Sequence, residues 1–224
     1  SKDNLITTKN FSNVGGIYGT KERSTVRYNF CENTTIKAES TLSKRNENVG
    51  GAIGHASYST SYFCGVVNGK VLAPNMNNVG GIIGKIGVSI STNYTLSYSY
   101  ALGAYDETKA RTGEAAVAKP EYQVVGYTNV GGIVGRLEGS TLLYSYSNMN
   151  VEAVGGLQGI AGGLTGYYNN SYNQASSTIK TYSNAKLQYN YFAGSVTATD
   201  RIAGENASGY AGGLTPLLDR DGKP

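Results

Sequence analysis

The chain has 224 residues, 31 of them glycine and 19 tyrosine, with no tryptophan, 15% charged residues and a formal net charge of +4. A hydrophobic share of 39% excludes global disorder. No apolar stretch of about 18 residues is present to cross a membrane as a helix, and the 19 lysines and arginines are dispersed, without the basic run that a nucleic-acid groove needs. Neither membrane insertion nor a nucleic-acid partner is expected. The opening Ser1-Lys2-Asp3-Asn4 has no signal-peptide character, and the ending Asp219 to Pro224 reads as interrupted. The chain is therefore expected to be a mature or excised piece of a longer protein.

Glycine is concentrated at fixed places, which argues for backbone geometry rather than for a flexible linker. The first cluster is Asn13-Val14-Gly15-Gly16-Ile17-Tyr18-Gly19. It returns as Asn48-Val49-Gly50-Gly51-Ala52-Ile53-Gly54, Asn78-Val79-Gly80-Gly81-Ile82-Ile83-Gly84 and Asn129-Val130-Gly131-Gly132-Ile133-Val134-Gly135. Two variants follow, Ile160-Ala161-Gly162-Gly163-Leu164-Thr165-Gly166 and Tyr210-Ala211-Gly212-Gly213-Leu214-Thr215. A near-duplicate, Ala153-Val154-Gly155-Gly156, stands just before the fifth. The second residues of the six boxes are 14, 49, 79, 130, 161 and 211, so the spacings are 35, 30, 51, 31 and 50. Such a period marks a repeat architecture. The two long spacings read as one unit plus an insertion. The first insertion spans about Gly103 to Tyr127 and holds the helix-favouring Glu107 to Arg111 and Glu114 to Lys119; the second spans Tyr167 to Ser177.

Between boxes a second pattern runs in chain order. It starts with Ser24-Thr25, Ser59-Thr60, Ser91-Thr92 and Ser140-Thr141. An aromatic step follows: Tyr28-Asn29-Phe30, Tyr98-Ser99-Tyr100, Tyr144-Ser145-Tyr146 and Tyr189-Asn190-Tyr191. The unit closes with Ile36-Lys37-Ala38, Val71-Leu72-Ala73, Val151-Glu152-Ala153 or Val196-Thr197-Ala198. Alternation of this kind, rich in Val, Ile, Thr and Tyr, predicts strands. Each unit reads as two or three short strands. One unit cannot bury its own apolar face, but copies stacked about 4.8 Å apart can. The expected fold is all-β, a parallel β-solenoid (β-helix) of about six glycine-box repeats in a single domain 1–224, with the array over about 13–215. A β-sandwich or propeller would show hairpin turns, and Asn-Gly occurs only at Asn68-Gly69.

The boxes at Val79–Gly84 and Val130–Gly135, and the strand Leu142 to Val151, resemble the GLUG repeat. That family occurs in large secreted and cell-surface bacterial proteins, among them adhesin-like proteins and the non-catalytic regions of immunoglobulin A peptidases. The resemblance spans roughly Asn13 to Thr215. The last two copies depart from it, with Ala-Gly-Gly for Val-Gly-Gly and Pro216 in place of the final glycine. It implies an extracellular or surface location, a scaffold role and no catalytic residues.

Candidate chemistry is sparse. Phe30-Cys31 and Phe63-Cys64 look equivalent in units one and two. Equivalent residues of stacked coils fall within disulfide range, so Cys31 and Cys64 are a candidate inter-coil staple, or else two buried thiols. His55, the single histidine, sits where Lys85 and Arg136 sit in later units, and reads as a polar surface slot. No zinc spacing occurs. Asp106-Glu107 and Asp219-x-Asp221 are the close acidic pairs. Stacked rings at Tyr100, Tyr146 and Tyr191, with Phe30 and Phe63, would be core if inward and an adhesive surface if outward. Asn33, Asn93, Asn169 and Asn206 match the glycosylation sequon, which this Asn- and Ser-rich composition supplies by chance. Together these residues predict a structural or adhesive repeat module of a bacterial surface or secreted protein that is not an enzyme, needs no cofactor, and contacts a host or matrix protein or glycan or self-associates end to end. The alternative is a polysaccharide-cleaving or glycan-binding β-helix.

Overall fold

A computed structural model of the chain describes residues 1–41, 47–87, 94–104, 118–155, 159–169, 171–173, 179–181, 186–198, 210–215 and 218–219. They form a parallel β-solenoid. Five parallel sheets of five or six strands run its length. The second coil shows all five faces in order: a box face (Asn48–Gly50), then a second (Ile53–Ser57), third (Thr60–Tyr62), fourth (Gly65–Val67) and fifth (Lys70–Ala73). Each coil is therefore five very short strands, where the sequence pattern suggests two or three. The corners between these faces are two residues each, such as Tyr58-Ser59 and Phe63-Cys64, too brief for the alternation to register.

The glycine boxes stack residue on residue. Asn13, Asn48 and Asn78 pair along one row, Val14, Val49, Val79, Val130 and Ala161 along the next. The closing segments stack likewise, with Ile36, Val71, Val124, Val151 and Val196 in one column. Inward side chains of all five faces make one continuous core, including Val49, Val79, Ile53, Ile83, Val134, Leu96, Leu142, Ile36 and Val71.

The box glycines answer a need for close approach. Among the described residues only Gly87 and Gly139 have positive φ among glycines, so no box glycine is required for a left-handed turn. A Cβ on Gly51 would lie 2.1 Å from the carbonyl oxygen of Gly81 in the next coil. A Cβ on Gly84 would lie 2.4 Å from the amide nitrogen of Val49. The box face and second face thus pack backbone on backbone, with no room for a side chain. The third glycine lies inside the second-face strand, as Gly84 does in Ile83–Ile86, and does not end it.

The first insertion is shorter than its sequence limits, whereas the second begins and ends later than expected, between Asn169 and Leu187. Gln123–Gly126 is an ordinary fifth-face strand between Lys70–Ala73 and Asn150–Ala153, so the first insertion ends before it. Thr165–Asn169 is a second-face strand, and an antiparallel pair, Ser171–Asn173 with Ile179–Thr181, follows it. The helix-favouring stretches fall within 105–117, outside the described residues, except Ala118 and Lys119, whose amides donate to the carbonyls of Asn148 and Ala104.

Candidate functional surface

The corner between the third and fourth faces carries the aromatic step, and the rings point outward. Register places Gly65 beside both Phe30 and Tyr100. Phe63 therefore stacks with the first ring of each pair, and the grouping of Phe63 with Tyr100, Tyr146 and Tyr191 is corrected. Two ladders result. Tyr28, Phe63, Tyr98, Tyr144 and Tyr189 form the first, with centroids 5.2, 5.2, 4.9 and 4.9 Å apart and planes within 18° of parallel. The second holds Phe30 against Tyr100 at 6.0 Å and Tyr146 against Tyr191 at 5.3 Å. Gly65 leaves the space through which Phe30 and Tyr100 meet: a Cβ there would lie 2.7 Å from each ring.

All five residues of the first ladder sit at positive φ, between 49° and 57°. For a bulky L-residue this region costs about 1–2 kcal/mol. Each stacked pair returns about 0.5–1.5 kcal/mol. The backbone ladder also continues through the corner: the amides of Phe63 and Tyr98 donate to the carbonyls of Ser97 and Leu143 in the following coil, both at 3.1 Å. The residue between the two rings points inward and caps its neighbour. Ser99 Oγ accepts from the amide of Cys64 at 3.1 Å, and Asn190 Oδ1 accepts from the amide of Ser145 at 2.9 Å.

This register also separates the cysteines. Cys31 stacks on Val66 in the fourth-face column, with Ala101 and Ser147 beyond, whereas Cys64 lies at the corner beside Ser99. Both are buried free thiols, the second of the two readings the sequence left open, and the candidate staple is not formed. The similarity of Phe30-Cys31 to Phe63-Cys64 is a two-residue offset. Burial pushes the Cys31 thiol up to about 11, although the nearby N-terminal ammonium opposes that shift.

Two polar groups escaped the sequence pattern. Lys21 occupies the core column of Ala56, Ile86 and Leu137 and is only 4% exposed. Its ammonium donates to the carbonyl of Thr60 at 2.9 Å and to Ser61 Oγ at 3.1 Å, and lies 5.1 Å from the centroid of the Tyr94 ring. Burial lowers its pKa to about 8. The Tyr94 hydroxyl bonds Ser61, and burial raises its pKa. Tyr94-Thr95 opens the third unit, because Thr95 pairs with Thr60 and Thr141; Ser91-Thr92 lies outside the described residues. The second group is an amide ladder. Asn48, Asn78 and Asn129 each donate from Nδ2 to Oδ1 of the preceding coil's asparagine, at 2.7, 2.8 and 3.0 Å. The Asn opening four boxes was the visible signal for it.

His55 pairs in register with Thr20 and Lys85, and Lys85 with Arg136, so it stands in a polar outward row. Its ring Nε2 is 3.3 Å from the carbonyl of Gly87, and burial, with Lys85 nearby, lowers its pKa. A shallow cavity of about 330 Å³ is lined by His55, Lys85, Asn13, Asn48 and Asn78. Glu138 binds Lys85 at 3.1 Å and Arg136 at 2.6 Å. Burial opposes its ionisation, but these two cations hold the carboxyl below its usual range. Among the described residues no three His, Cys, Asp or Glu converge on a metal-sized site. Asp106, Glu107, Asp221, Asn93 and Asn206 lie outside the described residues. Asn33 stands at a left-handed corner, donating to Asp3 at 2.8 Å and accepting from Asn68 at 3.3 Å.

No protein-family model, curated protein or solved structure matches the chain.

Proposed function

We propose that this chain is a structural and adhesive repeat module of a bacterial surface or secreted protein, working as a rigid rod that presents one aromatic corner to a host or matrix protein. The observation that carries this reading is the first ladder: five large rings held in line and exposed at left-handed corners. Exposed aromatic rows are rare on soluble surfaces unless they meet something. The resemblance of the boxes to the GLUG repeat supports a surface or secreted setting. Arg27 lies over Tyr62 at 5.5 Å beside the ladder, adding a cation to an aromatic patch of the kind that anchors protein interfaces. A sugar-stacking platform fits less well. Sugars pack on ring faces, and these faces are turned toward one another, leaving edges and phenol hydroxyls outward.

The test is display of the chain on a non-adherent bacterium, with adhesion measured on immobilised matrix proteins, on host cells and on a glycan array. Adhesion to a protein surface, lost when Tyr98, Tyr144 and Tyr189 become serine in a chain that still folds, is the expected result. Adhesion no greater than that of the bare host cell would overturn the reading. Binding confined to glycans would favour the glycan-binding alternative, and concentration-dependent fibres of the purified chain would favour end-to-end assembly.

A further inference from the structure

We propose that the tyrosine corner is an oxidative cross-linking site, where dityrosine bonds form between neighbouring coils. The reacting pairs are Tyr144 with Tyr98 or Tyr189, and Tyr146 with Tyr191. This holds whether or not the corner is adhesive.

The geometry meets three requirements. The rings must be close and parallel, and in these pairs centroids lie 4.9, 4.9 and 5.3 Å apart with planes 8°, 5° and 9° from parallel. An oxidant must reach them: Tyr98, Tyr144, Tyr189 and Tyr191 are 48, 46, 71 and 59% exposed, and Tyr146 is half-buried beside Tyr191. The partners must stay together long enough for two radicals to meet. Here the solenoid holds them in register, giving the high effective concentration of an intramolecular reaction. The ladder carries its own control. Tyr28 stacks on Phe63, which has no phenol, so it lacks a coupling partner there.

The oxidant is hydrogen peroxide acting through a haem peroxidase. Each phenol loses one electron and one proton, giving two tyrosyl radicals. Their ortho carbons, Cε of each ring, form one carbon–carbon bond. The hydrogen on each of those carbons then shifts to its phenol oxygen, restoring both aromatic rings. Two phenols and one hydrogen peroxide give one dityrosine and two waters. The product ties adjacent coils covalently, a staple that Cys31 and Cys64 do not supply.

The experiment treats dilute chain with peroxidase and hydrogen peroxide, then reads dityrosine fluorescence, gel mobility and the masses of joined peptides. The expected result is a cross-linked monomer that has lost two hydrogens per bond, with the joined peptides containing the three named pairs. Tyr144 can join only one partner at a time, so at most two of these bonds form per chain. Y144F, which keeps the stacked ring, should therefore lower the yield by about half. Y144F combined with Y146F should lower it nearly to background. Y28F should leave it unchanged, and Phe63→Tyr should add a bond to Tyr28. Three results would overturn the proposal: no dityrosine in the folded wild type, dityrosine found only in dimers, or a yield that Y28F lowers as much as Y144F does. Circular dichroism of each variant confirms that the coils remain folded.

Discussion

Replacing Gly51 by alanine tests whether the box is a close-packing device. The new Cβ would lie 2.1 Å from the carbonyl oxygen of Gly81 and 3.0 Å from a Val66 methyl. Ordinary contact begins at 3.4 Å, so the coils must part by over an ångström at this corner. The obstacle is backbone and cannot swing aside. The amide of Gly51 donates to the carbonyl of Gly80 at 3.2 Å across the same gap, and that bond is lost as the coils separate. Overpacking of this sort costs about 1–3 kcal/mol, and a buried amide left without its acceptor adds about 1–3. Against this, alanine lowers the entropy of the unfolded chain, worth about 0.4–1 kcal/mol. The net is a loss of about 3 kcal/mol. For a chain of this length that is a fall in Tm of roughly 6–12 °C. The matched control is Gly213→Ala in the sixth box, where a Cβ meets no described atom within 4 Å. It should leave Tm unchanged or raise it by a degree or two, following the same entropy argument. Thermal unfolding followed by circular dichroism reads both. Equal Tm values for wild type and Gly51→Ala, or an equal fall in both variants, would refute the close-packing account.

Further outcomes concern the buried polar groups. Lys21 has a folded pKa of about 8, below its ordinary 10.5, so the unfolded chain binds more protons between those values, and stability should rise with pH from about 8 to about 10. Lys21→Met should abolish that rise in urea titrations at stepped pH. Glu138 has the opposite arrangement. Its carboxyl is held below the usual range by its two cations, so its contribution is present above about pH 4.3 and is lost as the pH falls through the folded value. Glu138→Gln should cost about 1–2 kcal/mol at neutral pH, less than a fully buried pair because Lys85 and Arg136 are partly solvated, and should flatten the acid limb. A thiol reagent at pH 8 should find almost no reactive cysteine in the folded chain and two after denaturation; a disulfide-linked peptide in the native digest would contradict the column offset.

Much of this fold was legible because the repeat reports itself. Identical boxes imply identical corners, and Val14, Val49, Val79 and Val130 could be stacked from their spacing alone. Offsets within a unit were harder to read. Phe63-Cys64-Gly65 and Phe30-Cys31-Glu32 look alike as strings, yet Gly65 stands beside Phe30, because both coils keep the same 35-residue offset from Val14 and Val49 onward and the Phe-Cys dipeptide falls two residues earlier in the second. Strand count failed for a related reason: three-residue strands separated by a two-residue corner with one left-handed residue, such as Tyr98 before Ser99, carry no break in alternation that Gly or Pro would announce. Lys21 was missed since a lysine in a core column contradicts the apolar pattern, and only the distant Thr60 carbonyl and Ser61 make the position tolerable.

The placement of the extra segments has a practical meaning. The chain leaves the coil after Leu102 and is back in the fifth face at Gln123, and both flanking strands keep partners on either side. After Asn169 it departs from a different edge and is back in the third face at Leu187. In each case the detour begins and ends beyond the glycine corner, where neighbouring backbones touch. The array behaves as a spool with two open slots. A foreign epitope or binding loop could replace 105–117 without shifting the pitch of any turn, whereas a single residue added inside a box would jam the winding.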